Sequence, residues 1–185
     1  TLGISIVATQ PSPALAMPRG DYHDAAGVRT GLCAIGSTLS SHDSFSGDEA
    51  ELATLIQFLL GQYDRAADAI NAAGLSTWPE RIIHSDWHPG NLLFRNQKVV
   101  AVVDYDSLRY SRLAVDAANG ALQFSIIGGG DPDTWPDHLD EERLGAFLAG
   151  YQSLIPISDE VRPCLPSLMS EALIAECVPP ITETG

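Results

Sequence analysis

Apolar residues recur at three- and four-residue spacing from residue 48 to about residue 74, behind an acidic first turn. This spacing puts them on one face of a helix, and it predicts a long amphipathic helix that ends near Gly74. The same periodicity returns in the second half of the chain. It predicts helices over residues 113–127, 139–154 and 163–177, and a weaker pattern of small residues favours one over residues 27–40.

Three short runs rich in β-branched residues occupy the middle of the chain, at residues 81–84, 91–94 and 99–104. Runs of this kind between short turns are typical of strands. A polar loop at residues 85–90 separates the first two runs, and a turn at residues 95–98 separates the last two. The whole pattern predicts an α+β fold that is mostly helical and contains a small β unit.

The chain has 185 residues, of which 45% are hydrophobic and 18% are charged, so it can fold around a core as one domain or as one lobe of a larger protein. Its 10 Lys and Arg against 24 Asp and Glu give a formal net charge of −14. This charge repels phosphate backbones, so we expect neither nucleic acid nor an anionic membrane as a partner. No run approaches the ~20 apolar residues that a membrane span requires.

The three cysteines, Cys33, Cys164 and Cys177, are odd in number and far apart. They indicate neither a zinc site nor a disulfide framework, so we expect a reducing compartment, the cytoplasm. No basic residue precedes the short apolar run at residues 1–8, which argues against a signal peptide. Because the sequence begins at Thr1 rather than at a methionine, we expect it to be a fragment.

Two polar residues of the loop and one after the last strand form a pattern that carries chemistry. Asp86 and Asn91 have four residues between them, and Asp104 follows an apolar strand. This spacing matches a kinase catalytic loop, in which the aspartate takes the proton of the attacking hydroxyl and the asparagine ligates Mg²⁺. Asp104 would supply a second hard oxygen ligand, and Mg²⁺ needs few protein ligands because it keeps water and phosphate oxygens.

Three motifs, in order, carry a resemblance to a known family. They are His84-Ser-Asp86-Trp-His-Pro-Gly-Asn91, Val103-Asp104-Tyr-Asp106 and Ala114-Val-Asp116-Ala-Ala. Together they resemble the C-terminal lobe of the aminoglycoside phosphotransferase and choline kinase family, whose fold is protein-kinase-like. The resemblance covers about residues 47–151.

The resemblance implies a role for each matching residue. Asp86 would be the catalytic base, while Asn91 and Asp104 would hold Mg²⁺, with ATP as the co-substrate. His84 and Asp116 would be structural supports that brace the catalytic loop.

The lysine content departs from the family. Its members hold ATP under an N-terminal lobe with a strand lysine, whereas the only lysine here is Lys98, in the turn between two strands. No glycine-rich strand-turn-strand segment precedes residue 47 either. We therefore expect residues 48–185 to be the C-terminal catalytic lobe and residues 1–47 to be a connecting segment, either a plain linker or a remnant of the hinge and N-terminal lobe. Most of the ATP-gripping lobe would then be missing, and the chain would have no nucleotide lysine.

Other interpretations of the loop are weaker. His84, Asp86 and His88 could surround zinc, but no further His or Cys lies nearby in the sequence. Asp86 and Asn91 are also common turn residues, an alternative that the well-placed Asp104 disfavours.

Two later segments are also open to other interpretations. The strand that ends in Asp104 and Asp106 imitates the first motif of haloacid-dehalogenase-like phosphatases, but these need a downstream lysine that the chain lacks. Asp106 could contact metal or substrate, or only cap the following turn. Asp116 could be a solvated helix residue if the family pattern is set aside. The glycines at residues 128–130 follow a helix rather than open one, so they indicate a helix stop more than a phosphate cradle.

The sequence thus predicts a phosphotransferase that moves the γ-phosphoryl group of ATP, with Mg²⁺, to a hydroxyl of a small molecule. The acceptor would be of the amino alcohol, aminoglycoside, homoserine or sugar type. An acidic cleft favours an amine-bearing acceptor, because an ammonium group is attracted by the same carboxylates. The alternative is a catalytically inactive pseudokinase or binding module of the same fold.

Overall fold

A computed structural model of the chain describes residues 18–41, 47–129 and 131–184. Within these ranges the chain forms five α-helices and four short strands, joined by turns. The helices are α1 (Ala26–Ser40), α2 (Glu49–Ala72), α3 (Leu113–Ser125), α4 (Glu141–Gln152) and α5 (Leu165–Thr184). The strands are β1 (Glu80–Ile83), β2 (Leu92–Arg95), β3 (Lys98–Val102) and β4 (Arg109–Arg112).

The long helix α2 begins where its sequence predicts. The Asp48 side chain caps it by accepting a hydrogen bond from the Ala50 backbone N–H at 2.8 Å, and acidic residues in the first turn suit the positive end of the helix dipole. Its apolar face is buried through Ile56, Tyr63, Ala66, Ala67 and Ile70.

α5 lies at the centre of the helical packing, since α1, α2 and α3 all pack against it, and α4 packs against α3. Two glycines allow these helices to approach closely. Gly31 of α1 faces Val178 of α5, and Gly120 of α3 faces Phe147 of α4, so a Cβ atom at either glycine would overlap the facing side chain.

The buried apolar side chains form two clusters. One joins α3, β1 and the beginning of α5, and the other joins α1, α2 and the second half of α5. α1 precedes the predicted boundary at residue 47, yet it shares this second cluster with the helices that follow.

The strands pair as two separate antiparallel sheets, β1 with β4 and β2 with β3. In the first, Ile83 lies opposite Arg109; in the second, Leu92 lies opposite Val102. β4 has the sequence Arg-Tyr-Ser-Arg, which lacks an apolar run, and the sequence pattern did not predict it. The polar loop between β1 and β2 is therefore held at both ends by strands that belong to different sheets.

By length and hydropathy, the segment Arg162–Thr182 qualifies as a possible membrane-spanning helix. It contains most of α5, the helix against which α1, α2 and α3 pack. It also carries Glu171, whose side chain is 1% exposed. A core helix of a folded protein passes the same test of length and hydropathy.

The predicted α+β, mostly helical class is confirmed, because the described residues are mostly helical with small antiparallel sheets. Each of the predicted helices is present, with most ends within a few residues. The helix predicted over residues 163–177 runs further, to Thr184, because Pro179 and Pro180 are accommodated inside α5.

Candidate active site

The loop between β1 and β2 has an unusual local conformation. It leaves β1 through Ser85, whose φ of 67° lies in the left-handed region that non-glycine residues seldom adopt. A 3₁₀ turn, Pro89–Asn91, then leads into β2, and the ring Nδ1 of His88 accepts a hydrogen bond from the Gly90 N–H at 3.1 Å. The loop is thus folded back on itself before the next strand begins.

This fold brings Asp86 and Asn91 together. The Asn91 side-chain Nδ2 donates to the Asp86 carboxylate oxygen Oδ2 at 3.0 Å and to the Asp86 carbonyl oxygen at 2.9 Å. Asn91 is 5% exposed, whereas the Asp86 side chain is 37% exposed. A fixed amide therefore orients a carboxylate that still reaches solvent.

Asp104 lies next to this pair. The Val103 N–H donates to the Asn91 carbonyl oxygen at 3.0 Å, which continues the β2–β3 ladder by one residue beyond Leu92 and Val102. Asp104 follows directly, in a left-handed conformation with φ 63° that turns the chain into a 3₁₀ turn. Its side chain is exposed, and so is that of Asp106 in the same turn.

His84 connects the two sheets beneath the loop. It is buried, and its Nε2 lies 3.0 Å from the Val103 carbonyl oxygen, so this nitrogen carries the proton and donates it. The ring lies close to those of Trp87 and Tyr105, with centroids 4.8 and 5.7 Å away. Its position links the end of β1 to the residue that precedes Asp104.

Asp116, near the beginning of α3, holds the same loop from the other side. Its carboxylate accepts hydrogen bonds from the Ser85 N–H at 3.0 Å and from the Trp87 indole N–H at 2.7 Å. Burial raises the pKa of Asp116, and these two hydrogen bonds and the nearby His84 oppose that rise. Asp116 is 7% exposed, so the alternative of a solvated helix residue does not hold.

A second set of contacts reaches the loop from α3 and α5, and sequence reasoning missed it. Asn119 Oδ1 accepts from the Trp87 backbone N–H at 2.8 Å, and Asn119 Nδ2 donates to Glu176 Oε1 at 2.6 Å. Gln123 Nε2 donates to the other carboxylate oxygen of Glu176. The sequence does hold one signal, because positions 116, 119 and 123 are polar residues at helical spacing in a helix whose other residues, apart from Ser125 at its end, are apolar or glycine.

The chemistry of the donors at this site fits Mg²⁺. Asn91 uses its Nδ2 toward Asp86, which leaves its carbonyl oxygen Oδ1 without a hydrogen bond from any described residue. The Asp104 carboxylate is likewise unpaired within the described ranges. One amide oxygen and one carboxylate are the hard ligands that Mg²⁺ takes while keeping water and phosphate oxygens.

Zinc does not fit as well. In the part of the chain that the structure describes, no three His, Cys, Asp or Glu side chains are grouped so as to hold a metal ion. His84 Nε2 donates to a backbone carbonyl oxygen and His88 Nδ1 caps a turn, so each ring has a separate structural contact.

The other segments considered from the sequence lie away from these contacts. Lys98 pairs with Arg95 across the β2–β3 turn and is exposed. Gly128 and Gly129 follow the end of α3 and pack near the Trp135 ring. Residue 130 of that glycine run lies outside the described residues.

Comparison with known proteins agrees with this geometry. The model of the phosphotransferase enzyme family matches residues 19–164, which is well over half of the chain. Homoserine kinase from Gluconacetobacter diazotrophicus is 31% identical over 111 residues, which cover 57% of this chain and 32% of that protein. The chain thus spans about a third of the length of this curated relative.

Proposed function

The chain belongs to the phosphotransferase enzyme family, and we propose that it serves an ATP- and Mg²⁺-dependent transfer of the γ-phosphoryl group to a hydroxyl of a small molecule. The match confirms the resemblance drawn from the three sequence motifs. Membership of the family supports transfer of a phosphoryl group to a small acceptor, and that activity, the acceptor, the metal and the residue roles are our proposal.

The arrangement of Asp86 is the observation that carries this proposal. Its carboxylate is oriented by the Asn91 amide at 3.0 Å and yet is 37% exposed, so an acceptor hydroxyl can approach it. In phosphoryl transfer most of the rate comes from positioning and charge stabilisation. Asp86 would orient the hydroxyl and take its proton as the oxygen attacks phosphorus.

Asn91 Oδ1 and the Asp104 carboxylate would hold Mg²⁺ beside Asp86. The ion, when bound, supplies charge neutralisation for the phosphate oxygens. The exposed Asp106 lies in the 3₁₀ turn that follows Asp104, and its contact with metal or substrate is part of the proposal. His84 and Asp116 would act as buried supports. His84 donates to the carbonyl oxygen of Val103, which precedes Asp104, and Asp116 accepts from the N–H of Ser85, which precedes Asp86.

The nucleotide is held partly by groups outside this sequence, in our proposal. The only lysine, Lys98, lies in the β2–β3 hairpin and is too far along the chain to be a small-lobe lysine. We therefore interpret residues 48–185 as the C-terminal catalytic lobe of a protein-kinase-like fold and residues 1–47 as the connecting segment. Cytoplasmic localisation belongs to the same proposal, because ATP and reduced cysteines are found there.

We propose an amine-bearing alcohol as the acceptor. Asp104 and Asp106 are exposed, and the Asp86 side chain is 37% exposed. His88 Nε2 lies 3.8 Å from Asp86 Oδ2, and among the described residues no Lys or Arg forms an ion pair with these three carboxylates. The net charge of −14 adds a negative field that attracts ammonium groups. The name of the matched relative, homoserine kinase, denotes action on an amino acid that carries both a hydroxyl and an ammonium group.

The second candidate is an inactive module of the same fold, which the single lysine favours. Turnover by the full-length protein separates the two. We expect Asp86→Ala to lower kcat by at least ~10²-fold, the usual loss for a positioned general base. Asp137→Ala, at an exposed aspartate away from the loop, is the matched control and should keep the wild-type rate.

The acceptor is tested with a panel of homoserine, other amino alcohols, aminoglycosides and the corresponding uncharged alcohols. Turnover restricted to the uncharged alcohols would remove the amine proposal. An unchanged rate in Asp86→Ala would remove Asp86 from the mechanism, and Mg²⁺-nucleotide binding without turnover on any acceptor would favour the inactive module.

A further inference from the structure

A chain of hydrogen bonds joins α5 to the catalytic loop. It runs from the Trp87 backbone N–H to Asn119 Oδ1 at 2.8 Å, and from Asn119 Nδ2 to Glu176 Oε1 at 2.6 Å. Gln123 Nε2 donates to the second oxygen of Glu176 and closes the chain. Trp87 directly follows Asp86, so the chain ends one residue from the proposed base.

The donors and acceptors of this hydrogen-bond network can be arranged in only one direction. A backbone N–H can only donate, so Asn119 must turn its oxygen to Trp87 and its Nδ2 to Glu176. Glu176 must then accept, and an ionised carboxylate has acceptor sites only. Because Asn119 is 1% exposed, bulk water cannot replace either partner, and the acceptor at position 176 decides which way the amide points.

The position of the Glu176 carboxylate is electrostatically unfavourable for its charged form. It is partly buried, and burial together with the negative charge of Asp86 raises its pKa, while hydrogen bonds from Asn119 and Gln123 lower it. A partly buried carboxylate beside another carboxylate is unfavourable unless its oxygens are used as acceptors. Both oxygens of Glu176 are used in this way.

We propose that Glu176 is a positioning residue, which acts through Asn119 to fix the Trp87 N–H and thereby the orientation of Asp86. This inference rests on the proposed function, since it assigns a task to a residue that does not touch the reactants. Asp116 accepts from the Trp87 indole N–H, and Asn119, which Glu176 orients, accepts from the Trp87 backbone N–H, so the residue after the proposed base is fixed at two points.

The positioning role predicts that positions 119 and 176 are coupled, and exchanging the amide and the carboxylate between them tests this coupling. Asn119→Asp places two carboxylates face to face, and at pH 8 we expect kcat to fall at least ~10-fold, because misplacing a catalytic group by ~1 Å costs up to ~100-fold. The KM for ATP should change less than about twofold, because Asn119 and Glu176 contact no proposed metal ligand.

Adding Glu176→Gln to Asn119→Asp should restore kcat to within about threefold of the wild type. The new amide at position 176 can donate to the aspartate at position 119 and still accept from Gln123, while the aspartate accepts from the Trp87 N–H. Glu171→Gln, at a buried glutamate of α5 that contacts His23 instead of Asn119, is the matched control and should leave kcat unchanged.

Amide hydrogen exchange at Trp87, followed by NMR, gives a readout independent of turnover. Exchange should become at least ~10-fold faster in Asn119→Asp and slow again in the double variant, because protection reports the local hydrogen bond. If Asn119→Asp does not fold, Glu176→Ala, which introduces no facing charge, replaces it with the same two readouts.

The outcomes separate the two proposals. Wild-type kcat and wild-type amide exchange in Asn119→Asp would overturn the positioning role of Glu176. So would a double variant, Asn119→Asp with Glu176→Gln, whose kcat is no higher than that of Asn119→Asp alone. A raised KM for the acceptor at unchanged kcat in Glu176→Gln would mean that Glu176 contacts substrate instead. A full-length protein without turnover that still shows the exchange pattern would contradict the proposed function and leave the coupling intact.

Discussion

The buried carboxylate of Asp116 accepts two hydrogen bonds from groups of the loop between β1 and β2 that have no other described acceptor, the Ser85 N–H and the Trp87 indole N–H. Ser85 itself has a φ of 67°, a conformation that costs free energy and persists only where its surroundings hold it. The carboxylate therefore stabilises a backbone shape that the loop sequence alone would not favour. That shape is what places Asp86 beside Asn91.

We predict that Asp116→Asn lowers the free energy of unfolding by about 1–3 kcal/mol, because the new amide nitrogen would face the Trp87 indole N–H, which is also a donor. Urea unfolding measures the change. Trp87→Phe removes that donor, so it should cost less in the Asp116→Asn background than in the wild type. Equal costs in both backgrounds would show that the two side chains are not coupled.

His23 carries a pH dependence that is separate from the loop. Its Nδ1 lies 2.9 Å from Glu171 Oε2 and its Nε2 lies 3.1 Å from Asn71 Oδ1. Burial lowers the pKa of His23, but the hydrogen bonds and charge of Glu171 and the contact with Asn71 outweigh it, and the pKa is raised above its usual value. The protonated ring, which donates from both nitrogens, is the form that the fold stabilises.

The contribution of His23 to stability should therefore be complete below its unfolded pKa of about 6.5 and disappear as pH rises through the higher folded pKa. By linkage, we predict that the difference in unfolding free energy between the wild type and His23→Gln is largest at about pH 5.5 and shrinks steadily toward about pH 9. Denaturant melts across this range measure it. His138→Gln, at an exposed histidine, should give a difference that hardly varies with pH.

The elements of the fold differ in how far the sequence predicts them. The helices have apolar faces of regular spacing, and α2 was predicted as residues 48–74 and observed as Glu49–Ala72. β4 was missed because its residues are polar and its partner, β1, lies far away along the chain. The same reason hid Glu176, which is 57 residues from Asn119. Local spacing therefore predicts Asp86, Asn91 and Asp104, while supports that depend on helix packing need the structure.

Close packing of α3 on α4 is a property of the elements that can be tested at Gly120. A Cβ atom there would overlap the Phe147 ring, so Gly120→Ala should lower the free energy of unfolding by about 1–3 kcal/mol. Helix propensity alone would favour alanine by ~1 kcal/mol. Gly145→Ala on α4, where nothing lies within 4 Å, should therefore stabilise by up to ~1 kcal/mol. If urea unfolding shows that both substitutions stabilise the protein, the close approach of α3 to α4 at Gly120 is contradicted.

At the scale of the whole molecule, the excess of 24 acidic over 10 basic residues makes the folded chain repel itself. Salt screens this repulsion, so the free energy of unfolding should rise from low to moderate NaCl concentration. The general effect depends on ionic strength and not on the cation. A specific Mg²⁺ site, in contrast, would add a contribution that NaCl at equal ionic strength does not give.

We predict this added contribution for the site of Asn91 and Asp104. A ligand that binds only the folded state stabilises it by RT ln(1 + [L]/Kd), about 1.4 kcal/mol when Mg²⁺ is at ten times its Kd. Thermal melts in MgCl₂ and in NaCl of equal ionic strength should differ for the wild type and coincide for Asp104→Ala. Asp133→Ala removes the same charge away from the site and should keep the difference, since field effects depend on net charge alone. If Asp104→Ala and Asp133→Ala lose the difference between MgCl₂ and NaCl equally, Mg²⁺ is attracted by the overall negative charge, and Asp104 does not bind an ion specifically.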